Sequence, residues 1–207
     1  MRESLKKMLK GYKVFRNKYV HGNRSIMKLL SRYGQQPKIM VIACCDSRVD
    51  PGLILQCDPG DLFVVRNIAN IVPPYENDNK HHGTSAALEY GICSLEVKHL
   101  ILLGHSQCGG IQALYGKDKT VKNDFISNWV SIINTDNHIH KSVDDCAKFA
   151  LQQSHQNCMS FPWVVEKIQQ NALEIHLWFF DIESGQIFTY VADKGEYQPL
   201  DADCFFK

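Results

Sequence analysis

Two apolar runs, each broken off by reactive side chains, constrain this chain more than any other feature. Ile39 to Ala43 reads as a buried strand and ends in Cys44-Cys45-Asp46-Ser47-Arg48. Further on, Leu100-Ile101-Leu102-Leu103-Gly104 reads the same way and ends in His105-Ser106-Gln107-Cys108-Gly109-Gly110. Open α/β sheets build their sites from strands that finish this way, at the carboxyl edge. Cys44, His105 and Cys108 bring two thiols and an imidazole to two strand tips. That donor set suits zinc with one coordination position left open.

The length of 207 residues fits a single domain, residues 1–207, with the first 32 residues as a helical arm. A formal charge of +1 points to neither nucleic acid nor an anionic membrane. No apolar run approaches the roughly 20 residues of a membrane span. Met1 to Lys7 is basic but has no apolar signal core behind it, so the expected location is cytoplasmic. Eight cysteines in such a chain are expected to stay reduced. Cys57, Cys93, Cys146 and Cys158 read as small buried hydrophobes.

The pattern of apolar residues predicts a mostly parallel α/β sheet with flanking helices. Residues 4–32 read as helical, with Leu5, Met8, Leu9, Tyr12, Phe15 and Tyr19 on one stripe and breaks at Gly11 and around His21-Gly22-Asn23. This arm packs either on a partner subunit or on its own domain. Strands are expected at 38–44, 62–65, 99–103, 174–180 and 186–191, the last one antiparallel after a turn at Glu183-Ser184-Gly185. Val49 to Gly52 reads as a turn before a short helix, and residues 70–82 as loop. Helices are expected from a cap at Thr84 or Ser85 to about Leu95, and over 109–115, 121–134, 142–158 and 162–171.

Asp46 and Arg48 stand two apart across a turn. They form either a catalytic pair, with Arg48 holding the carboxylate ionised, or a structural ion pair. Cys45 cannot easily join Cys44 on one metal, because neighbouring strand residues point oppositely. The glycine-rich stretch Gly104 to Gly110 matches neither the dinucleotide nor the P-loop spacing. His81 and His82 read as a solvated loop pair.

Cys44 to Arg48 and His105 to Gly110 together resemble the Cys-x-Asp-Ser-Arg and His-x-x-Cys-Gly elements of the β-class carbonic anhydrases. The likeness extends through Phe63 to Tyr75 and Gly83 to Tyr90, and covers the chain from about residue 30 to 192. What it implies is a Zn2+ enzyme that reversibly hydrates carbon dioxide to bicarbonate and a proton by zinc-bound hydroxide. Cys44, His105 and Cys108 would hold the metal, and Asp46 and Arg48 would form the catalytic dyad. Gln35, Phe63 and Tyr90 stand at the places of the plant-like branch's substrate pocket, with Ile68 and Gly109 at further pocket positions. The family's sites lie at a dimer interface with an arm wrapped over the partner, so a homodimer or higher homo-oligomer is implied, with no nucleic acid and no membrane as partner.

Some members of that family close at lower pH, with the dyad aspartate on the metal and bicarbonate in a separate pocket. That pocket uses a tryptophan, an arginine and a tyrosine. Here Arg66 fills the arginine place, but Val41 and Phe180 stand at the other two. The resemblance therefore implies an open resting site, with Asp46 on the metal only in a closed state. Two other functions fit the same motifs: a hydrolase of carbonyl sulfide or carbon disulfide, and a non-catalytic zinc-dependent binding protein.

Overall fold

A computed structural model describes residues 2–21, 25–114, 124–135 and 140–201. Its sheet is built on β1 (Ile39–Cys44), which lies between β2 (Leu62–Asn67) and β3 (His99–His105) and runs parallel to both. β4 (Glu174–Phe180) continues the parallel set beside β3. β5 (Ile187–Val191) and β6 (Glu196–Pro199) then add antiparallel strands, giving the order β2-β1-β3-β4-β5-β6. The strand order reverses at β1, so the crevice between the carboxyl ends of β1 and β3 is the place where such sheets bind ligands.

Both faces of the parallel strands are apolar, as strands covered on two sides require. Met40, Ile42, Leu100, Leu102 and Phe179 point into the larger core. Val41, Ala43, Ile101 and Leu103 form a second cluster on the other face, with Trp178 and Phe180 against it. Burying each of these Leu, Ile and Val side chains contributes about 1.5–3 kcal/mol.

The helices are α1 (Arg2–Tyr19), α2 (Ile26–Tyr33), α3 (Pro51–Ile54), α4 (Gly83–Glu89), α5 (Gly109–Leu114), α6 (Asp124–Val130), α7 (Val143–Cys158) and α8 (Pro162–Gln169). α7 packs on β3 so closely that a Cβ on Gly104 would lie 2.9 Å from a Leu151 methyl. Ser142 caps α7 by accepting from the Asp145 N–H at 3.0 Å, and Pro162 opens α8 at its first position, as the sequence predicts.

Several boundaries differ from expectation. Gly11 does not break α1, which runs through it with nothing near the missing Cβ; one exposed glycine costs a helix only about 1 kcal/mol. The turn expected at Val49 to Gly52 is already the start of α3. Asp50 caps it through the Leu53 N–H at 3.1 Å, and Pro51 takes the first turn. α4 begins at Gly83 without a side-chain cap from Thr84 or Ser85, and gives way at Tyr90 to a wider π turn through Ser94. A Cβ on Gly91 would stand 2.6 Å from Met40 Sδ, so this segment lies tight against β1. Cys146 and Cys158 are buried, whereas Cys93 is exposed and Cys57 only half-buried. Gly22 and Asn23, Tyr115 and the first residues of the 121–134 helix lie outside the described residues.

Candidate metal centre

Cys44 is the last residue of β1 and His105 the last of β3, on adjacent strands. Cys108 follows on the turn that leads into α5. All three are buried, and one donor atom from each lies within 4.8 Å of the other two. The two Sγ atoms are 3.8 Å apart. A tetrahedral ion with metal–sulfur bonds of about 2.3 Å would separate two sulfurs by about 3.8 Å.

The imidazole of His105 completes the case for a metal. Its Nδ1 lies 2.9 Å from the Ser106 carbonyl, so that nitrogen carries the proton. Nε2 is buried and has no hydrogen-bond partner among the described residues. A lone pair left bare in the interior costs about 1–3 kcal/mol, and a metal ligand whose other nitrogen donates to a carbonyl has this arrangement. The thiols fit the same reading. Hydrogen bonding from Cys108 lowers the Cys44 pKa, while Cys44 and then burial raise that of Cys108. Without a cation the two sulfurs therefore share one proton, and a second thiolate at this spacing would need a cation between them.

The loop that follows Cys44 is braced from β2. Arg66 donates from Nε to the Cys44 carbonyl (2.9 Å), from Nη2 to the Asp46 carbonyl (2.7 Å) and from Nη1 to Asp50 Oδ2 (2.9 Å). All three guanidinium nitrogens are therefore engaged. Val41 is fully buried and packs in the apolar cluster that Phe180 adjoins.

Asp46 and Arg48 meet in a two-pronged pair, Nε to Oδ1 at 3.0 Å and Nη2 to Oδ2 at 2.7 Å. The Arg48 backbone N–H also donates to Oδ1 at 3.0 Å. These bonds, Arg48's side chain first, hold the Asp46 carboxyl well below the usual carboxylate range. Arg48 Nη2 further reaches the Gln107 carbonyl at 3.2 Å and so ties the two motif loops together. Gln107 has a left-handed φ of 53°, and its N–H donates to Asp144 Oδ1 at 2.7 Å.

A cleft opens beside this centre, with Cys45, Asp46, Ile68, Gly109, Ala113 and Val130 among its walls. Ile68 is fixed from two sides. Trp129 Nε1 donates to its carbonyl at 2.8 Å, and the Asn67 amide spans the turn by bonding both backbone groups of Ile71. Gln35, Phe63 and Tyr90 are not among the cleft's walls. Gln35 is exposed on the chain before β1, and Phe63 stacks with Tyr90 at 5.8 Å between ring centres. His82 bonds Asp78 at 2.7 Å.

Arg66, Asn67, Trp129 and Asp144 are positioning residues that sequence reasoning did not single out for these roles. Arg66 and Asn67 carry a sequence signal, a cation and an amide closing an apolar strand; Trp129 and Asp144 carry none.

Comparison with known proteins gives one consistent result. A family model described as carbonic anhydrase matches residues 39–187. The chain is 39% identical over 158 residues to beta carbonic anhydrase 5, chloroplastic, of Arabidopsis thaliana; this covers 71% of the chain and 52% of that protein, so the chain spans about half its length. The structure of the beta-carbonic anhydrase CcaA superposes with a TM-score of 0.84 at 30% identity, over 95% of this chain and 100% of that one. A tetrameric beta-carbonic anhydrase of Sordaria macrospora gives 0.70 at 32% identity, over 91% and 94%.

Proposed function

Because the chain belongs to the β-class carbonic anhydrases, we propose that it catalyses the reversible hydration of carbon dioxide to bicarbonate and a proton at Cys44, His105 and Cys108. The observation that carries the reading is the buried, unpartnered Nε2 of His105 beside two sulfurs at a tetrahedral spacing. Zn2+ held by these three residues would supply a Lewis acid that lowers the pKa of water towards neutrality.

The chain's own residues do the rest. Asp46, kept ionised by Arg48, offers a carboxylate oxygen that accepts a hydrogen bond from the attacking water and aims its lone pair at the substrate carbon. Arg48 fixes that carboxylate in one rotamer through two parallel bonds. Ile68, Ala113 and Val130 give a linear apolar substrate a hydrocarbon wall and keep bulk water from it. The product is an anion and leaves toward solvent past Arg48, whose side chain is 45% exposed.

The pocket is completed by a second copy of the chain. Gln35, Phe63 and Tyr90 lie outside the cleft of their own subunit and would face that of a partner. Two further features support an oligomer. Leu5, Met8, Leu9 and Tyr12 on α1 are all more than half exposed along one stripe, and among the described residues β2 is an unpaired sheet edge bearing an exposed Val64. Apolar faces and open edges of this kind are normally covered. The tetrameric relative from Sordaria macrospora agrees with this.

Stopped-flow hydration of carbon dioxide by the purified protein, run beside hydrolysis assays with carbonyl sulfide and carbon disulfide, tests the function. Carbon dioxide should be turned over far faster than either sulfur analogue. Preference for an analogue would reassign the substrate, and inactivity on all three would leave a binding protein.

A further inference from the structure

β3 begins and ends in histidine. His105 closes it at the carboxyl edge; His99 opens it at the opposite edge, about 20 Å away at about 3.3 Å per residue. Beside His99 lie Glu174 and His176, the first and third residues of β4. The parallel register sets His99 level with Glu174 and Ile101 level with His176. All three side chains share the face that carries Ile101, Leu103 and Trp178.

Their donor atoms form a compact triangle. His99 Nδ1 is 3.1 Å from His176 Nε2 and 3.6 Å from Glu174 Oε2, and His176 Nε2 is 3.7 Å from that same oxygen. Bonds of about 2.0–2.2 Å from a tetrahedral ion to imidazole nitrogen and carboxylate oxygen place donor atoms about 3.3–3.6 Å apart. The edges bracket that range. The rings are tilted by 39° with centroids 5.2 Å apart, so they do not stack face to face. The side chain of His176 is only 13% exposed, while that of Glu174 is 66% exposed, which leaves an approach from solvent.

The structure assigns to His99, Glu174 and His176 a second metal site, for a divalent first-row transition ion such as Zn2+, with solvent completing its coordination. Burial lowers the pKa of His176, which favours the neutral, ligating form of its ring. Without an ion, the 3.1 Å contact is a hydrogen bond between the two rings. Two imidazoles and a carboxylate suit zinc, nickel or copper and not the oxygen-seeking Mg2+ or Ca2+. A bound ion would cross-link the bases of β3 and β4, at the far end of the strand from the Cys44 centre. The cluster of Glu76, Asp78 and His82 differs, because Asp78 is already neutralised by the Lys80 ammonium at 3.0 Å.

Zn2+ titration of the zinc-loaded full chain against a chromophoric chelator tests this site independently of the first. Wild type should take up a second equivalent and gain melting temperature from it. His99→Gln and His176→Gln should abolish that uptake and Glu174→Gln weaken it at least tenfold. Cys108→Ser should leave it intact. Cobalt in the second site should show visible ligand-field bands without thiolate charge transfer. Retention of the first zinc reports folding of the His99, Glu174 and His176 variants, a thermal melt reports that of Cys108→Ser, and the exposed Glu174 carries the test if the histidine variants do not fold. Uptake of one equivalent only by wild type, or a second equivalent indifferent to these substitutions, would overturn the assignment.

Discussion

Arg48 donates to both carboxylate oxygens of Asp46, Nε to Oδ1 at 3.0 Å and Nη2 to Oδ2 at 2.7 Å. The pair fixes an ionised acceptor at the rim of the buried sulfur–imidazole triangle. Asp46→Asn keeps the shape and loses the acceptor. It should retain full zinc and lose about 10²-fold or more in hydration rate. Arg48→Lys should fall between, since lysine keeps the charge without the fork. Metal analysis beside stopped-flow assays checks both; an Asp46→Asn enzyme of normal rate would reduce the pair to a structural one.

Gln35 is exposed and lies outside the cleft of its own chain. If it acts across a subunit interface, two inactive variants should rescue one another. A heterodimer of Asp46→Asn and Gln35→Ala subunits would contain one site with both residues intact. Co-purified heterodimers should recover about half of the wild-type rate. Activity no higher than the mean of the two parents would place Gln35 in its own subunit's site or in none.

Neighbouring glycines at the start of α5 should respond differently to the same change. A Cβ on Gly110 would meet Ile68 Cγ2 at 2.6 Å and Ala69 Cβ at 3.0 Å; one on Gly109 meets nothing within 4 Å. Gly110→Ala should push α5 from the Ile68 turn, displace Cys108, cost about 1–3 kcal/mol and weaken zinc binding. Gly109→Ala should fold and hold zinc normally, with any loss confined to turnover. Chelator competition and denaturant melts on both variants would show the contrast, and equal zinc loss in the two would contradict it.

The motifs singled out Cys44, His105 and Cys108, which the structure brings into one cluster, and Asp46 and Arg48, which it pairs, because strands that end at one sheet edge carry their tips together. The larger fold was equally legible, since both faces of the parallel strands are apolar and the runs are unbroken. β6 was not. Glu196 to Pro199 is polar and ends in proline, and only pairing with β5 makes it a strand. The last two residues of β3 were hidden for a similar reason: Gly104 and His105 are paired with Phe179 and Phe180 of β4, which an apolar pattern does not record. The three bonds of Arg66 depend on where the loop after β1 returns, and the triangle at His99 depends on a register between residues far apart in sequence.

His155 on α7 gives a pH-dependent contribution away from the centre. Burial lowers its pKa below the ordinary value of about 6.5. The unfolded chain therefore takes up the proton first, and stability is full above about pH 6.5 and falls as pH drops through it. His155→Gln should show a shallower loss of denaturation midpoint between about pH 7.5 and about pH 5.5. The burial-lowered His176 remains and should leave part of the slope. A slope unchanged by the substitution would remove His155 from the account.

Hydration activity measured as a function of zinc content tests the central claim most directly. Chelator-stripped protein should be inactive in the stopped-flow assay, and one equivalent of Zn2+ should restore the full rate in wild type but not in Cys108→Ser. Metal-free protein that still hydrates carbon dioxide, or fully active Cys108→Ser, would contradict the account.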